Sequence, residues 1–395
     1  MNLLSTSISL YIHIPFCSSK CKYCDFYSET SGFNRITGVV DQLIAELKYH
    51  FNKLNKPNIE TVFIGGGTPS LLSNRELKRL LESIQVVAPK VKEWTIESNP
   101  ESITKEFLDI CTISGVTRLS IGIQSFNDKL LKILGRNANS SDITRAMNLV
   151  SKFWRKSFSL DLISSIPEQS VHMVTEDINR AIEYNPDHIS FYGLSLEEGT
   201  PLEREVSKGI IMDLDTTISD NIWLAGRAIL RENGYSDYEV SNYTKNYPSL
   251  HNSNYWELKP YLGIGPGAVS TLIDDKGNIV RISNRKSINL FLKGQSHNWG
   301  EEYTFIQPKE FLDEYIMMGL RLRKGIDMIR FEKVFNQSII DIISISHDLV
   351  EEGLVVISNG YYALTGRAYD VMNTIIVRIF QSIEDIAPPR VTWFF

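Results

Sequence analysis

The chain has 395 residues, a formal net charge of -6 and a pI near 5.8, with 43% hydrophobic and 22% charged residues. That length suits one large domain with one or two smaller ones, the composition is that of a globular protein, and an acidic balance without a basic stripe argues against a nucleic-acid binder. No apolar run approaches the roughly 20 residues that cross a bilayer, no secretory signal precedes the first cysteine, and four cysteines, three of them clustered, make no disulfide framework; the expected location is the cytoplasm, with peripheral membrane contact left open.

In chain order, the β-rich runs "SLYIHI", "IETVFIGGG", "EWTIES", "TRLSIGIQS", "FSLDLISS" and "HISFYGLSL" alternate with amphipathic helical patterns such as 41–51, 75–86 and 171–184. Six β/α alternations predict a parallel sheet with crossover helices. Periodicity alone fits either a doubly wound sheet or a partial (β/α) barrel. In both, residues at the C-terminal ends of strands face one ligand site. Gly65, Gly66 and Gly67 follow the second strand, Glu97 ends the third, Gln124 ends the fourth, and Asp161 lies in the otherwise apolar fifth. The turn after the second strand also reads as a cap by Thr68 with Pro69 at the first helical position.

After about residue 197 the alternation stops, and 200–300 is mixed and rich in Gly, Pro, Asn and aromatics. From Pro308, helical segments at 309–323, 327–336 and 338–352, a hairpin in "LVVISNGYYALT" and a last helix at 366–380 resemble a winged-helix module. With no basic recognition helix it reads as a lid or packing unit. The expected divisions are 1–235, 236–300 and 301–395. The tail "PPRVTWFF" shows no mechanism.

The chemistry concentrates in "IPFCSSKCKYCDFYSE", with Cys17, Cys21 and Cys24; the fourth cysteine is Cys111. A structural zinc site would need a fourth ligand, His13 or Cys111, and would normally show a second paired knuckle, which is absent. The other reading is an iron–sulfur cluster held by three thiolates, with one iron left open for chemistry.

"CSSKCKYC" is the CxxxCxxC pattern, by which the chain resembles the radical S-adenosylmethionine superfamily. The resemblance implies a partial (β/α)6 TIM-like barrel and a 4Fe–4S cluster on Cys17, Cys21 and Cys24. It also implies S-adenosylmethionine on the open iron, cleaved reductively to a 5′-deoxyadenosyl radical. "GGGTP" at 65–69 then cradles the methionine amino group with Gly65, Gly66, Gly67 and Thr68. Arg136 in "LGR" pairs with the methionine carboxylate. Glu97, Gln124 and Asp161 hold ribose hydroxyls and amino groups, and Tyr11 and Tyr23 lie beside the cluster and adenosyl group.

"YIHIPFC", "FIGGGTPS", "IGIQSF", "FYGLSLEEGTPL" and "YLGIGPGAVS" further resemble the branch that contains coproporphyrinogen III dehydrogenase and the HemW-type haem chaperones. The dehydrogenase carries another cysteine two residues after the third ligand and a long segment before the first strand; here stand Phe26 and ten residues before Tyr11. "HNSNYW", 251–256, matches the chaperones' HNxxYW haem pattern, with His251 as axial ligand. His188 and His297 have no such support and are read as structural. The resemblance implies a chaperone that binds haem and transfers it to respiratory acceptor proteins, with a reductant and possible homodimerisation. The alternative function is oxidative decarboxylation of porphyrinogen propionates.

Overall fold

The computed structural model describes residues 7–30, 33–294, 298–386 and 391–392. The six expected strands are β1 (Ser7–Ile14), β2 (Asn58–Gly66), β3 (Glu93–Ser98), β4 (Arg118–Gln124), β5 (Ser157–Ser164) and β6 (His188–Gly193). They lie side by side in chain order, every neighbouring pair parallel and joined through at least one helix. A doubly wound sheet reverses its strand order at a switch point. The unbroken order here is that of a barrel wall, so the partial (β/α)6 alternative holds.

Successive strand residues point to opposite faces. One set, including Leu10, Ile12, Val62, Ile64, Leu119 and Ile121, is buried with the crossover helices in one apolar cluster. The other set is polar and lines the lumen. It stays inside because it bonds across strands: Thr61 Oγ1 donates to Ser9 Oγ at 2.9 Å, Ser120 Oγ to Asp161 Oδ2 at 3.0 Å, and Ser159 Oγ meets His188 Nδ1 at 2.8 Å. His188, with Nε2 3.1 Å from the Tyr238 hydroxyl, is a satisfied lumen residue. Helices Asn74–Val87, Lys105–Ile113 and Val171–Glu183 start on side-chain caps from Ser73, Thr104 and Ser170.

The mixed stretch holds more order than its composition suggests. Helices Pro201–Ser207 and Thr216–Glu232 come first. Then β7 (Ser236–Asp237) and β8 (Asn242–Thr244) extend the sheet antiparallel beyond β6. After helix Leu250–Trp256, β9 (Tyr261–Ile264) pairs parallel with β1, and β10 (Val269–Ile273), β11 (Ile279–Asn284) and β12 (Glu301–Ile306) follow antiparallel, giving one 12-stranded sheet.

The C-terminal module packs helices Pro308–Leu320, Met328–Phe335, Ile339–Ile342, Ser346–Glu351 and Met372–Ser382 with a small sheet of β13 (Ile326–Asp327), β14 (Val355–Ser358) and β15 (Tyr361–Leu364) around a second apolar cluster. Asn359 and Gly360 turn the hairpin with φ of 51° and 80°, the pair of left-handed residues that such a turn requires. The segment at 338–352 is two helices broken at extended Ile343, and the last helix starts at Met372 after a 3-10 turn, Ala368–Val371. Among the described residues no helix is long and apolar enough to cross a membrane. His297 and, apart from Val391 and Thr392, the tail lie outside the described residues.

Candidate functional site

Cys17, Cys21 and Cys24 are free, half-buried thiols on the loop that leaves β1 at the C-terminal end of the strands. The loop is pinned at both ends. Cys17 N–H donates to the Glu29 carbonyl at 3.2 Å, Glu29 N–H to the Pro15 carbonyl at 2.9 Å, and Lys22 N–H to the Leu134 carbonyl at 2.9 Å. Neither sequence candidate for a fourth protein ligand is available. Cys111 is fully buried on helix Lys105–Ile113, in the apolar layer outside the barrel, where burial pushes its thiol up. Both His13 nitrogens are engaged, Nδ1 with the Tyr11 hydroxyl at 2.9 Å and Nε2 with the Tyr27 carbonyl at 2.8 Å.

The glycine turn after β2 is as tight as a glycine run permits. A Cβ on Gly65 would stand 2.8 Å from the Glu97 carboxyl carbon, one on Gly66 (φ 104°) 2.5 Å from the His13 ring, and one on Gly67 2.4 Å from the Phe16 carbonyl oxygen. Its main chain is partly used: Gly67 and Thr68 N–H donate to the Ile14 and Phe16 carbonyls at 2.7 Å each, and Gly66 N–H to Glu97 Oε2 at 3.1 Å. Thr68 stands at the start of the 3-10 turn Pro69–Leu71, but its side chain does not cap it. The expected cap is replaced by a contact with sulfur, Thr68 Oγ1 to Cys17 Sγ at 3.6 Å.

Arg136 is half-buried rather than a solvated helix end. Nη1 lies 3.7 Å from Cys21 Sγ, and Nη2 donates to the Gly122 carbonyl at 2.7 Å and to Asn99 Oδ1 at 3.0 Å; buried Nε has no partner among the described residues. Asn99, which the sequence reading passed over, also donates through Nδ2 to Thr68 Oγ1 at 3.1 Å. The available signal was its place after Glu97 and before a proline at a strand end.

The two acids share the lumen. Burial, then repulsion from Asp161, pushes Glu97 up to about 8. Burial also raises Asp161, opposed by hydroxyls of Ser190, Ser120 and Ser159. Gln124 ends β4 beside a register shift with φ of 68°, a left-handed conformation that a side chain tolerates only where surroundings enforce it. Tyr11 lies against Phe63 with ring centroids 6.3 Å apart, and Tyr23 lies in the field of Cys21, Cys24, Arg136 and Asp161; burial raises both phenols.

The structure therefore gathers the three thiols, the glycine turn, Thr68, Glu97, Gln124, Arg136, Asp161, Tyr11 and Tyr23 at one end of the barrel. His251 is not among them. It sits on helix Leu250–Trp256, 1% exposed, with Nδ1 2.8 Å from Thr61 Oγ1. Thr61 lies five residues before Gly66, about 16 Å down the strand. Burial, then the charge of Arg118, lowers the imidazole to about 3, so it is neutral. The Thr61 proton goes to Ser9, so Nδ1–H donates to Thr61 and Nε2 keeps its lone pair; it has no partner among the described residues. Glu93 anchors this helix by accepting from Ser249 Oγ at 3.0 Å and from the N–H groups of Leu250 and His251 at 2.8 and 2.9 Å.

Three free thiols, two of them facing nitrogen or hydroxyl donors, and a turn with no room for side chains fit a thiolate-held cluster with a ligand that uses main-chain groups. Residues 11–181 match the model of the Radical SAM superfamily, and residues 306–371 that of the HemN C-terminal domain. The chain is 36% identical over 336 residues to "Heme chaperone HemW" of Buchnera aphidicola subsp. Schizaphis graminum, covering 83% of this chain and 86% of that one. It is 34% identical over 328 residues to "Heme chaperone HemW" of Escherichia coli K12, covering 82% and 85%. Among solved structures, the coproporphyrinogen III oxidase HemN of Escherichia coli, described as a radical SAM enzyme, superposes with a TM-score of 0.80 over 97% of this chain and 91% of its own, at 19% identity.

Proposed function

Because this chain belongs to the HemW family of heme chaperones within the radical SAM superfamily, we propose that it binds haem through His251 and passes it to haem-requiring proteins of the respiratory chain. It works in the cytoplasm with a reductant, and as a homodimer when its cluster is assembled. The carrying observation is a neutral, buried imidazole whose Nδ1–H is held by Thr61 while Nε2 has no partner among the described residues. That is how a protein prepares an axial ligand: the second nitrogen fixes the tautomer and the ring orientation. Haem reaches Nε2 only when helix Leu250–Trp256 lifts from the barrel, since the ring is 1% exposed.

Further along the same strands, beyond Phe63, whose ring lies 5.2 Å from that of His251 and 6.3 Å from that of Tyr11, Cys17, Cys21 and Cys24 hold three irons of a 4Fe–4S cluster. Gly65, Gly66, Gly67 and Thr68 take the methionine end of S-adenosylmethionine, Arg136 its carboxylate, and Glu97, Gln124 and Asp161 its ribose and amino groups, with Tyr11 and Tyr23 alongside. When bound, the pair supplies reductive cleavage to a carbon radical. Helix Pro201–Ser207 is tied to the cysteine loop by Leu202 N–H to the Lys22 carbonyl at 2.9 Å and by the Lys22–Glu205 pair at 2.7 Å, which holds the loop in place beside the site.

His251→Ala is expected to weaken haem binding or move its Soret band while the cluster absorption stays intact; an unchanged haem spectrum rejects the ligand. The porphyrinogen reading has a direct test. Reconstituted protein incubated anaerobically with coproporphyrinogen III, reductant and S-adenosylmethionine is expected to leave the substrate untouched, and protoporphyrinogen IX in the product overturns the chaperone assignment. Phe26, at the dehydrogenase's extra cysteine position, is 69% exposed at the edge of the cysteine loop and offers no further ligand.

A further inference from the structure

Two side chains beside the thiols decline the role their positions offer. Thr68 precedes the 3-10 turn Pro69–Leu71 and Asn99 the 3-10 turn Pro100–Ser102, each with proline at the first position, and neither side chain caps its turn. Ser, Thr, Asn and Asp normally spend a side-chain oxygen on the free N–H groups there. Instead the two meet. Asn99 Nδ2 donates to Thr68 Oγ1 at 3.1 Å, and the Thr68 hydroxyl turns to Cys17 Sγ at 3.6 Å. On its other side Asn99 Oδ1 accepts from Arg136 Nη2 at 3.0 Å, while Nη1 of that guanidinium lies 3.7 Å from Cys21 Sγ.

One carboxamide thus stands between the donors to two of the three thiols. Its orientation is set by its neighbours: a guanidinium offers only protons, so the oxygen must face Arg136, leaving the NH2 for the hydroxyl. The main chain around it is held separately. Asn99 N–H donates to Ser70 Oγ at 3.3 Å, and Ser102 Oγ to the Asn99 carbonyl at 2.9 Å. The loop therefore keeps its shape without the carboxamide. The side chain's remaining consequence is the placement of the two donors.

We propose that Asn99 is a positioning residue that sets the electron affinity of the cluster by holding Thr68 on Cys17 and Arg136 on Cys21. The inference rests on those two cysteines being cluster ligands. Hydrogen bonds to the sulfurs favour the reduced, more negative cluster and so raise its reduction potential. Without the carboxamide, Thr68 loses the N–H that polarises its hydroxyl and is free to cap its own turn. Arg136 keeps only the Gly122 carbonyl to fix Nη2.

The test uses the full-length, anaerobically reconstituted protein, with iron and sulfide analysis and an EPR-monitored redox titration. Asn99→Ala is expected to hold wild-type iron and to titrate at a more negative midpoint. Asn99→Ser, neutral and too short to bridge Thr68 and Arg136, is expected to shift the midpoint the same way without adding charge. Should the alanine variant fail to retain iron, the serine variant supplies the midpoint. Wild-type midpoints with a lowered melting temperature, or loss of the cluster from both variants, overturn the proposal by making Asn99 a purely structural residue. Failure of the ligand assignment looks different: Cys21→Ser would then retain full iron whatever Asn99 does.

Discussion

Glu46 shows how far burial alone can move a carboxyl in this protein. It lies fully buried on helix Ile36–Lys53, with Oε2 accepting from Gly265 N–H at 2.8 Å and Oε1 from Asn284 Nδ2 at 2.7 Å. Desolvation, joined by repulsion from Glu301, outweighs those two donors and pushes it up to about 8 from 4.5. An acid with a raised folded-state pKa binds its proton more tightly when folded. Its stabilisation is complete below about 4.5 and is lost as pH climbs to about 8, at no more than about 1.4 kcal/mol per pH unit. Glu97, also raised to about 8, adds to the same slope. Melting temperatures of the apoprotein across that range are therefore expected to fall less steeply for Glu46→Gln than for wild type. The variant starts lower at acid pH, by about 1–3 kcal/mol, because its NH2 faces the Asn284 donor. Equal slopes would show Glu46 ionised throughout. At this scale the thiols and strand-end residues were legible because local spacing carries them. Asn99 was not, because its meaning lies in Thr68 and Arg136, 31 and 37 residues away in the chain.

The turn after β2 carries a prediction about elements rather than single groups. Gly66 has φ of 104° and no room for a Cβ beside His13, and Gly67 would press a Cβ on the carbonyls of Phe16 and Ile14. Gly277, with φ of 82°, has nothing within 4 Å, so Gly277→Ala costs only the left-handed conformation, about 1–2 kcal/mol. Gly66→Ala adds displacement of the ring whose Nε2 holds the Tyr27 carbonyl on the cysteine loop. Gly67→Ala, which meets main chain that cannot rotate away, costs more still. Chemical denaturation should rank the three in that order, and only the two turn variants should reconstitute with less iron than wild type. A Gly66→Ala protein indistinguishable from Gly277→Ala would remove His13 as the link. The same scale explains what the sequence concealed. Six β/α units announce themselves by repetition, but β7 and β8 have two and three residues and carry no readable period. After Leu250, helix Leu250–Trp256 is built of Asn, Ser, His and aromatics, weak helix formers, and reads as a loop. Ser249 caps it and Glu93 takes three of its donors, so tertiary contacts supply what propensity lacks.

The barrel and the C-terminal module are joined by charge as well as apolar packing. Asp237, in the terminal strand β7 and nearly buried, takes Arg231 at 2.9 Å, Arg323 Nε at 2.6 Å and Arg227 at 3.9 Å; Arg227, 4% exposed, also pairs with Asp370 of the module. Arg323 lies 3.6 Å over the Tyr369 ring, and its N–H donates to the Tyr238 carbonyl at 3.0 Å. Asp237→Asn leaves three guanidiniums around a neutral group. Removing one partner of a buried pair costs about 3–5 kcal/mol, whereas Asp370→Asn, at a half-exposed carboxylate, costs nearer 1–2 kcal/mol. The loss should fall on the module first, so calorimetry of Asp237→Asn is expected to split one transition into two. The strands at 236–306 should melt with the barrel because they share its sheet. A single transition at the wild-type temperature would mean that Val240, Leu258 and Ile306, packed against the module core, hold the two parts together without the charges. Burial opposes ionisation of Asp237, but Arg231 and Arg323 prevail and keep its carboxyl below the usual range. The tie is thus fully present above 3.8 and lost only as pH falls below it. The wild-type protein should therefore begin to show the variant's two transitions in acid and not at neutral pH.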